Sequence, residues 1–215
     1  MSTRTEMRPV LVGNDGSDGA RSALLWATRL TQRDRDITVV AADAHPAAVL
    51  LDQAGALGAG LIVVGHRRGR RFAELRGSAA LTLIDRAPCP VVVVPDAIGT
   101  GGPTLVGFDG GERSRAALHW ALAHDRGGRE LVIAAAGRPA IAAAVLDELV
   151  LEDDTLIDVD YSVAIVEGHT GEALAALAER IDAQEIVVGR GRHAHDIVER
   201  ADRPVIVVPG AEPSR

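Results

Sequence analysis

The sequence contains no lysine, so arginine supplies every one of its 23 basic residues. A phosphate site that sets a lysine ammonium behind a glycine-rich loop is therefore excluded. Aromatic residues make up only 2% of the chain, which leaves the 47% hydrophobic content almost wholly aliphatic. A core of Val, Leu, Ile and Ala suits parallel strands buried on both faces, which read as continuous aliphatic runs. One cysteine, Cys89, excludes an internal disulfide and fits a reducing compartment. No apolar run approaches the roughly 18 residues of a membrane span, and no basic leader with an apolar stretch behind it opens the chain. Positive charge is also in deficit: the net charge of −7 argues against nucleic acid as a partner, because a basic face supplies most non-specific affinity for phosphates. These absences together predict a soluble, cytoplasmic protein.

What is present is an internal repeat. Residues 10–27 read VLVGNDGSDGARSALLWA and residues 104–121 read TLVGFDGGERSRAALHWA, an offset of 94. IVVG at 62–65 recurs at 186–189, an offset of 124, and APCPVVVVP at 87–95 recurs as ADRPVIVVP at 201–209, an offset of 114. The second copy thus gains 30 residues in its middle and loses 10 near its end. Repeats of this kind set the domain count, and here they predict two domains, 9–96 and 104–210, joined by the Gly- and Pro-containing stretch 96–103.

Within the first copy the pattern predicts a strand at 10–14, a helix at 18–34, a strand at 37–42, a helix at 46–57, a strand at 61–65, a loop and helix ending at 86, and a strand at 90–95. Ala20, Ala23, Leu24, Ala27 and Leu30 fall on one stripe of the first helix, the spacing of a face packed on a sheet. The second copy repeats the order and inserts 139–168, read as a helix at 140–152 and an alternating strand at 158–166. Strands alternating with amphipathic helices imply right-handed crossovers and a parallel, doubly wound sheet. The unit missing from the first copy should be an edge strand, since an edge can be deleted without cutting a sheet in half.

The ordered set VLVGNDGS, LIVVG with a Gly/Arg loop and Gly77-Ser78, and APCPVVVVP resembles the universal stress proteins in a tandem two-domain arrangement. The resemblance spans about 10–95 and 104–209. It implies two Rossmann-like α/β domains of the adenine nucleotide alpha hydrolase-like type, sheet order 3-2-1-4-5, with strand 3 and its preceding helix absent from the first copy. In that order the winding reverses between strands 1 and 4, and open α/β sheets bind ligands at the carboxyl ends of the strands flanking such a point.

In the first copy those ends are Asp15 and Gly65. The loop GHRRGRRFAELRG (65–77) would cover the crevice, with Ser78 opening the next helix, whose N–H groups and dipole favour an anion. Arg67 and Arg68, with Arg70 and Arg71, add charge, and the Ser78 hydroxyl is placed to donate to a phosphate. The resemblance assigns Asp15 to ribose hydroxyls or an adenine amino group, and implies ATP, with Mg²⁺, as the ligand. It adds Gly13, Ala42, Gly77 and Ala79 to the candidate site of Asp15, Gly65, Arg67, Arg68 and Ser78. Two departures stand out: the loop is one residue shorter than the family's Gly-x2-Gly-x9-Gly-Ser pattern, and Arg68 occupies the place of its second glycine, where a positive φ is cheap only for Gly. The second copy keeps Asp109 but runs Gly189-Arg190-Gly191-Arg192 straight into a helix with no Gly-Ser, and is read as non-binding.

The remaining polar residues take structural readings. Asp15 and Asp109 can organise a turn, and Ser17 or Asp18 can cap the first helix. His193, His195 and Asp196 read as polar surface rather than a metal site, Cys89 as a buried small hydrophobe, Trp26 and Trp120 as packing, and His45 and His169 as helix-start or surface residues. No nucleophile–base pair, carboxylate dyad or metal triad stands out, so no enzyme is expected beyond slow incidental ATP hydrolysis. The function predicted is a cytoplasmic stress-response or regulatory module that binds ATP in its first domain; the alternative is an interaction module of the same fold that binds no nucleotide. The valine-rich strands at 91–94 and 205–208 are expected to pair as an intramolecular pseudo-dimer. The uncovered strand 37–42 is expected to recruit a second chain, giving a homodimer.

Overall fold

In the computed structural model the chain divides into two compact units, Met1–Asp96 and Ala97–Arg215. The structure describes residues 8–31, 36–41, 45–66, 79–96, 101–124 and 128–210.

The first unit begins with β1 (Val10–Asn14), α1 (Asp18–Thr31), β2 (Ile37–Ala41) and α2 (Pro46–Leu57). It continues with β3 (Leu61–His66), α3 (Ala79–Arg86) and β4 (Val91–Pro95). Its strands are all parallel in the order β2-β1-β3-β4. Aliphatic β4 is buried along its whole length, and β1 and β3 are buried over their first three and four residues, as parallel strands covered on both faces must be. Ser17 starts α1 by accepting the Ala20 N–H on its hydroxyl at 3.2 Å, satisfying one of the helix's unpaired N-terminal donors. The buried face of α1 is Ala20, Ala23, Trp26 and Ala27, whereas Leu24 is 37% exposed. Leu24 thus falls off the expected stripe: Trp26 fills the volume under the helix, and the small alanines let the helix lie close to the sheet.

The second unit begins with β5 (Thr104–Gly107), α4 (Glu112–His124), β6 (Leu131–Ala136) and α5 (Pro139–Glu152). A single 3-10 turn at Asp154–Leu156 leads to β7 (Tyr161–Val166). α6 (Thr170–Arg180), β8 (Glu185–Gly189), α7 (Ala194–Arg200) and β9 (Val205–Val208) complete it. The strand order is β7-β6-β5-β8-β9, again all parallel. This is the 3-2-1-4-5 order, and the first unit has the same order without its strand 3.

Registers repeat between the units as well. Val10 lies opposite Ile37 and Leu61, and Thr104 opposite Leu131 and Glu185; Ile62 faces Val91 as Ile186 faces Val205. The inserted strand starts three residues later than expected, at Tyr161, which lies opposite Leu131, the first residue of β6. Asp158 has φ 67°, a left-handed conformation that cannot continue a strand. The insertion changes how β6 is buried relative to β2. With β7 beside it, β6 is buried at five of six positions, whereas no residue of β2 is fully buried and Val39 is 46% exposed.

Candidate functional site

The order of strands reverses between β1 and β3 in the first unit and between β5 and β8 in the second. At both places a crevice opens at the carboxyl ends of the strands, as the topology requires. In the first unit it is lined by Gly13, Asn14, Asp15 and Ser17 from the end of β1 and its turn, Leu50 from α2, Val64 and Gly65 from β3, and Ala79 at the start of α3. Four of the nine residues expected from the sequence, Gly13, Asp15, Gly65 and Ala79, therefore meet there. Ala42, Arg67, Arg68, Gly77 and Ser78 lie outside the described residues, as does most of the loop predicted to cover the crevice.

Two of these residues have a packing role that needs no ligand. A methyl group on Gly65 would overlap the backbone of Gly19 and Ala20, because the first turn of α1 lies directly on the end of β3. A methyl on Gly13 would sit 3.0 Å from Leu50 Cδ1 and 3.2 Å from Val64 Cγ1. The second unit reproduces both constraints: Gly189 abuts the backbone of Arg113, and a methyl on Gly107 would lie 2.9 Å from both Leu174 and Val188. These glycines thus persist in a copy that has lost the Gly-Ser loop, because helix–sheet contact requires them there.

Asp15 Oδ1 accepts the Ser17 N–H at 3.0 Å, and the Asn14 side chain accepts the Gly16 N–H at 2.9 Å. The turn after β1 is thereby tied to side-chain oxygens, with Gly16 at φ 76°, and this holds the Asp15 carboxylate at the crevice. Asp109 is anchored differently. Its Oδ1 accepts from Ser114 Oγ at 2.7 Å and from Gly111 N at 2.9 Å, so the helix-start serine has moved from position 17 in one copy to 114 in the other.

The second crevice, at the end of the copy read as non-binding, is a cavity of about 720 Å³. It is lined by the buried residues Gly107, Phe108, Ala134, Leu174 and Val188 and by the more exposed Asp109, Arg113, Arg190, Arg192 and His193. The sequence signals for this lining were available in Val188 and Leu174, which stand where Val64 and Leu50 do in the first copy.

The other candidates take structural places. Cys89 is buried, and so is Trp26; Trp120 stacks on His124 with ring centroids 4.1 Å apart. Neither His45 nor His169 caps its helix through the side chain. Among the described residues no group of three His, Cys, Asp or Glu is placed to hold a metal ion, and no helix is long and apolar enough to cross a membrane.

Comparison with known proteins gives one family match. Residues 32–95 match the sequence profile of the Universal stress protein family. No curated protein matches the chain. A universal stress protein from Archaeoglobus fulgidus DSM 4304 superposes with a TM-score of 0.70 at 15% identity, covering 94% of this chain and 96% of that one. A putative universal stress protein from Pseudomonas aeruginosa UCBPP-PA14 gives 0.60 at 18% identity, covering 93% and 81%. Both likenesses concern the fold, and the first extends over both units at nearly full length.

Proposed function

We propose that this chain is a universal stress protein that binds an adenine nucleotide, ATP with Mg²⁺, in the crevice between β1 and β3 and acts as a regulatory module. The observation that carries the reading is the meeting of Asp15, Gly13, Gly65 and the start of α3 at one strand-order reversal. The described residues fit the base and ribose side of such a ligand. Leu50 and Val64 offer apolar contact to a planar base, and Asp15 offers a carboxylate acceptor for hydroxyl or amino groups. The phosphates would fall to Arg67, Arg68 and Ser78 and to the N-terminal N–H groups near Ala79. Among the described residues of the crevice none is a positioned acceptor for phosphoryl transfer, and binding rather than turnover is the proposed activity.

A second reading, an interaction module without nucleotide, draws on the packing of Gly13 and Gly65: both are accounted for by helix–sheet contact alone. Calorimetric titration of the full chain with MgATP separates the two. Micromolar binding supports the first reading, and no heat at millimolar ligand supports the second.

A further inference from the structure

The 30-residue insertion that sets the second copy apart from the first carries eight Asp or Glu and no Arg, in a chain whose whole net charge is −7. It folds as α5, the 3-10 turn and β7. Within the second unit β7 ends the strand order, with β6 beside it on one side. Asp160 O accepts from Leu131 N at 3.0 Å, and Val166 O accepts from Gly137 N at 2.9 Å, so the even-numbered residues of this stretch turn their backbone groups toward β6. Alternate residues of a strand turn them the opposite way, and on an edge strand these form an open row of donors and acceptors. Here the row is Tyr161, Val163 and Ile165. Val163 and Ile165 also hold their side chains 50% and 44% exposed, on one face of the strand.

The usual devices that blunt such an edge are missing. β7 reads YSVAIV, without a charge or a proline, and its register with β6 is unbroken. Charge stands instead at its two ends, where Asp158 and Asp160 precede the strand and Glu167 follows it, all three exposed. A second copy of the chain is a poor match for this edge. A two-fold contact sets a surface against itself, and in either strand direction acid would meet acid, which opposes association. The complement is an extended segment of another protein, with aliphatic side chains at alternate positions and arginine or lysine at both ends. We propose that the β7 edge docks such a segment as an added strand, with main-chain hydrogen bonds to Tyr161, Val163 and Ile165. This goes beyond nucleotide binding by the first unit and fails independently of it, since the edge and that crevice share no residue.

The test uses the full chain and a blocked, fluorescein-labelled peptide of alternating valine and threonine with paired arginines at both ends, followed by anisotropy. It should bind with a dissociation constant below about 100 µM. The same peptide with glutamates in place of the arginines should not bind at that concentration, and one with a central proline should bind at least about tenfold more weakly. Val163→Lys, at an exposed position, should weaken the arginine peptide at least about tenfold while the thermal melt stays in place. Should that variant fail to fold, Asp158→Asn with Asp160→Asn should weaken the peptide about fivefold; asparagine tolerates the left-handed φ of 67° at position 158. In amide exchange followed by NMR, the N–H groups of Val163 and Ile165 should become protected when the peptide is added. No binding by the arginine peptide, equal binding of the glutamate or proline peptide, or protection on α5 in place of β7 would each overturn the proposal. A doubled mass by light scattering that Val163→Lys abolishes and Val39→Lys does not would give the edge to a second copy and overturn it as well.

Discussion

At the scale of single residues, the glycines at the strand ends separate packing from ligand chemistry. Gly65→Ala and Gly189→Ala each force a methyl into the backbone of the neighbouring helix, an overpacking that costs about 1–3 kcal/mol. Urea unfolding of the two variants should show losses of that size in both, whether or not ligand is present. A variant as stable as the parent would mean the helix start can move away from the strand. Asp15→Ala and Ser78→Ala should each weaken MgATP binding by about 1–3 kcal/mol, the cost of removing one hydrogen-bonding partner from a charged or buried group; calorimetry reads it. Asp153 makes a pH prediction. Burial opposes its charge, but hydrogen bonds from the Thr155 hydroxyl and N–H, with His119 nearby, prevail and hold its pKa below the ordinary value. A carboxylate depressed in this way adds stability above its unfolded-state pKa of about 3.9 and loses it as pH falls through the lower folded-state value. Asp153→Asn keeps a capping oxygen and removes only the charge, so it should cost up to about 1 kcal/mol at neutral pH, and the difference should vanish at the acid end of a stability–pH series.

Among the elements, the helices and strands of both copies were legible because their patterns follow the periods of the two structures. Continuous aliphatic runs at 61–65 and 91–94 are buried parallel strands, and the paired offsets of the repeat reappear as identical registers. Discrepancies arose where a rarer conformation or a bulky residue intervened. Asp158 turns left-handed and delays β7, and Trp26 displaces Leu24 from the buried face of α1. The two crevices come from the same elements, β1, α2 and β3 in one unit and β5, α6 and β8 in the other. Their chemistry differs because the connection after the fourth strand of the order differs. Ser17→Ala, which removes the α1 cap, should destabilise the chain by about 1 kcal/mol. A thermal melt unchanged to within a degree would show that another group takes over the Ala20 N–H.

For the whole molecule, the proposal for the first unit predicts one MgATP per chain, because the second copy has no Gly-Ser loop. Two equal sites by calorimetry would place a nucleotide in the second crevice too. The abbreviated first copy leaves β2 hydrogen-bonded to β1 alone among the described strands, and β2 carries no charged side chain to blunt it as an edge. Light scattering at high micromolar concentration should give twice the chain mass, and Val39→Lys should return it to the monomer value. A monomeric parent would set aside pairing through this edge.

By itself the sequence determined the two-copy organisation, the parallel α/β class and the place of each switch point, because repeat offsets and aliphatic runs are local signals that survive divergence. It also pointed to Asp15 and Gly65, since a strand end followed by a helix start is readable in a dozen residues. Only the tertiary structure decided that Gly13 and Gly65 are needed by packing, because residues distant in sequence, Gly19, Leu50 and Val64, press against them. Likewise it alone revealed a cavity in the copy without a phosphate loop. A missing motif is visible in one stretch of chain, whereas a cavity is a sum over β5, β6, α6, β8 and α7, whose separation in space no linear pattern states.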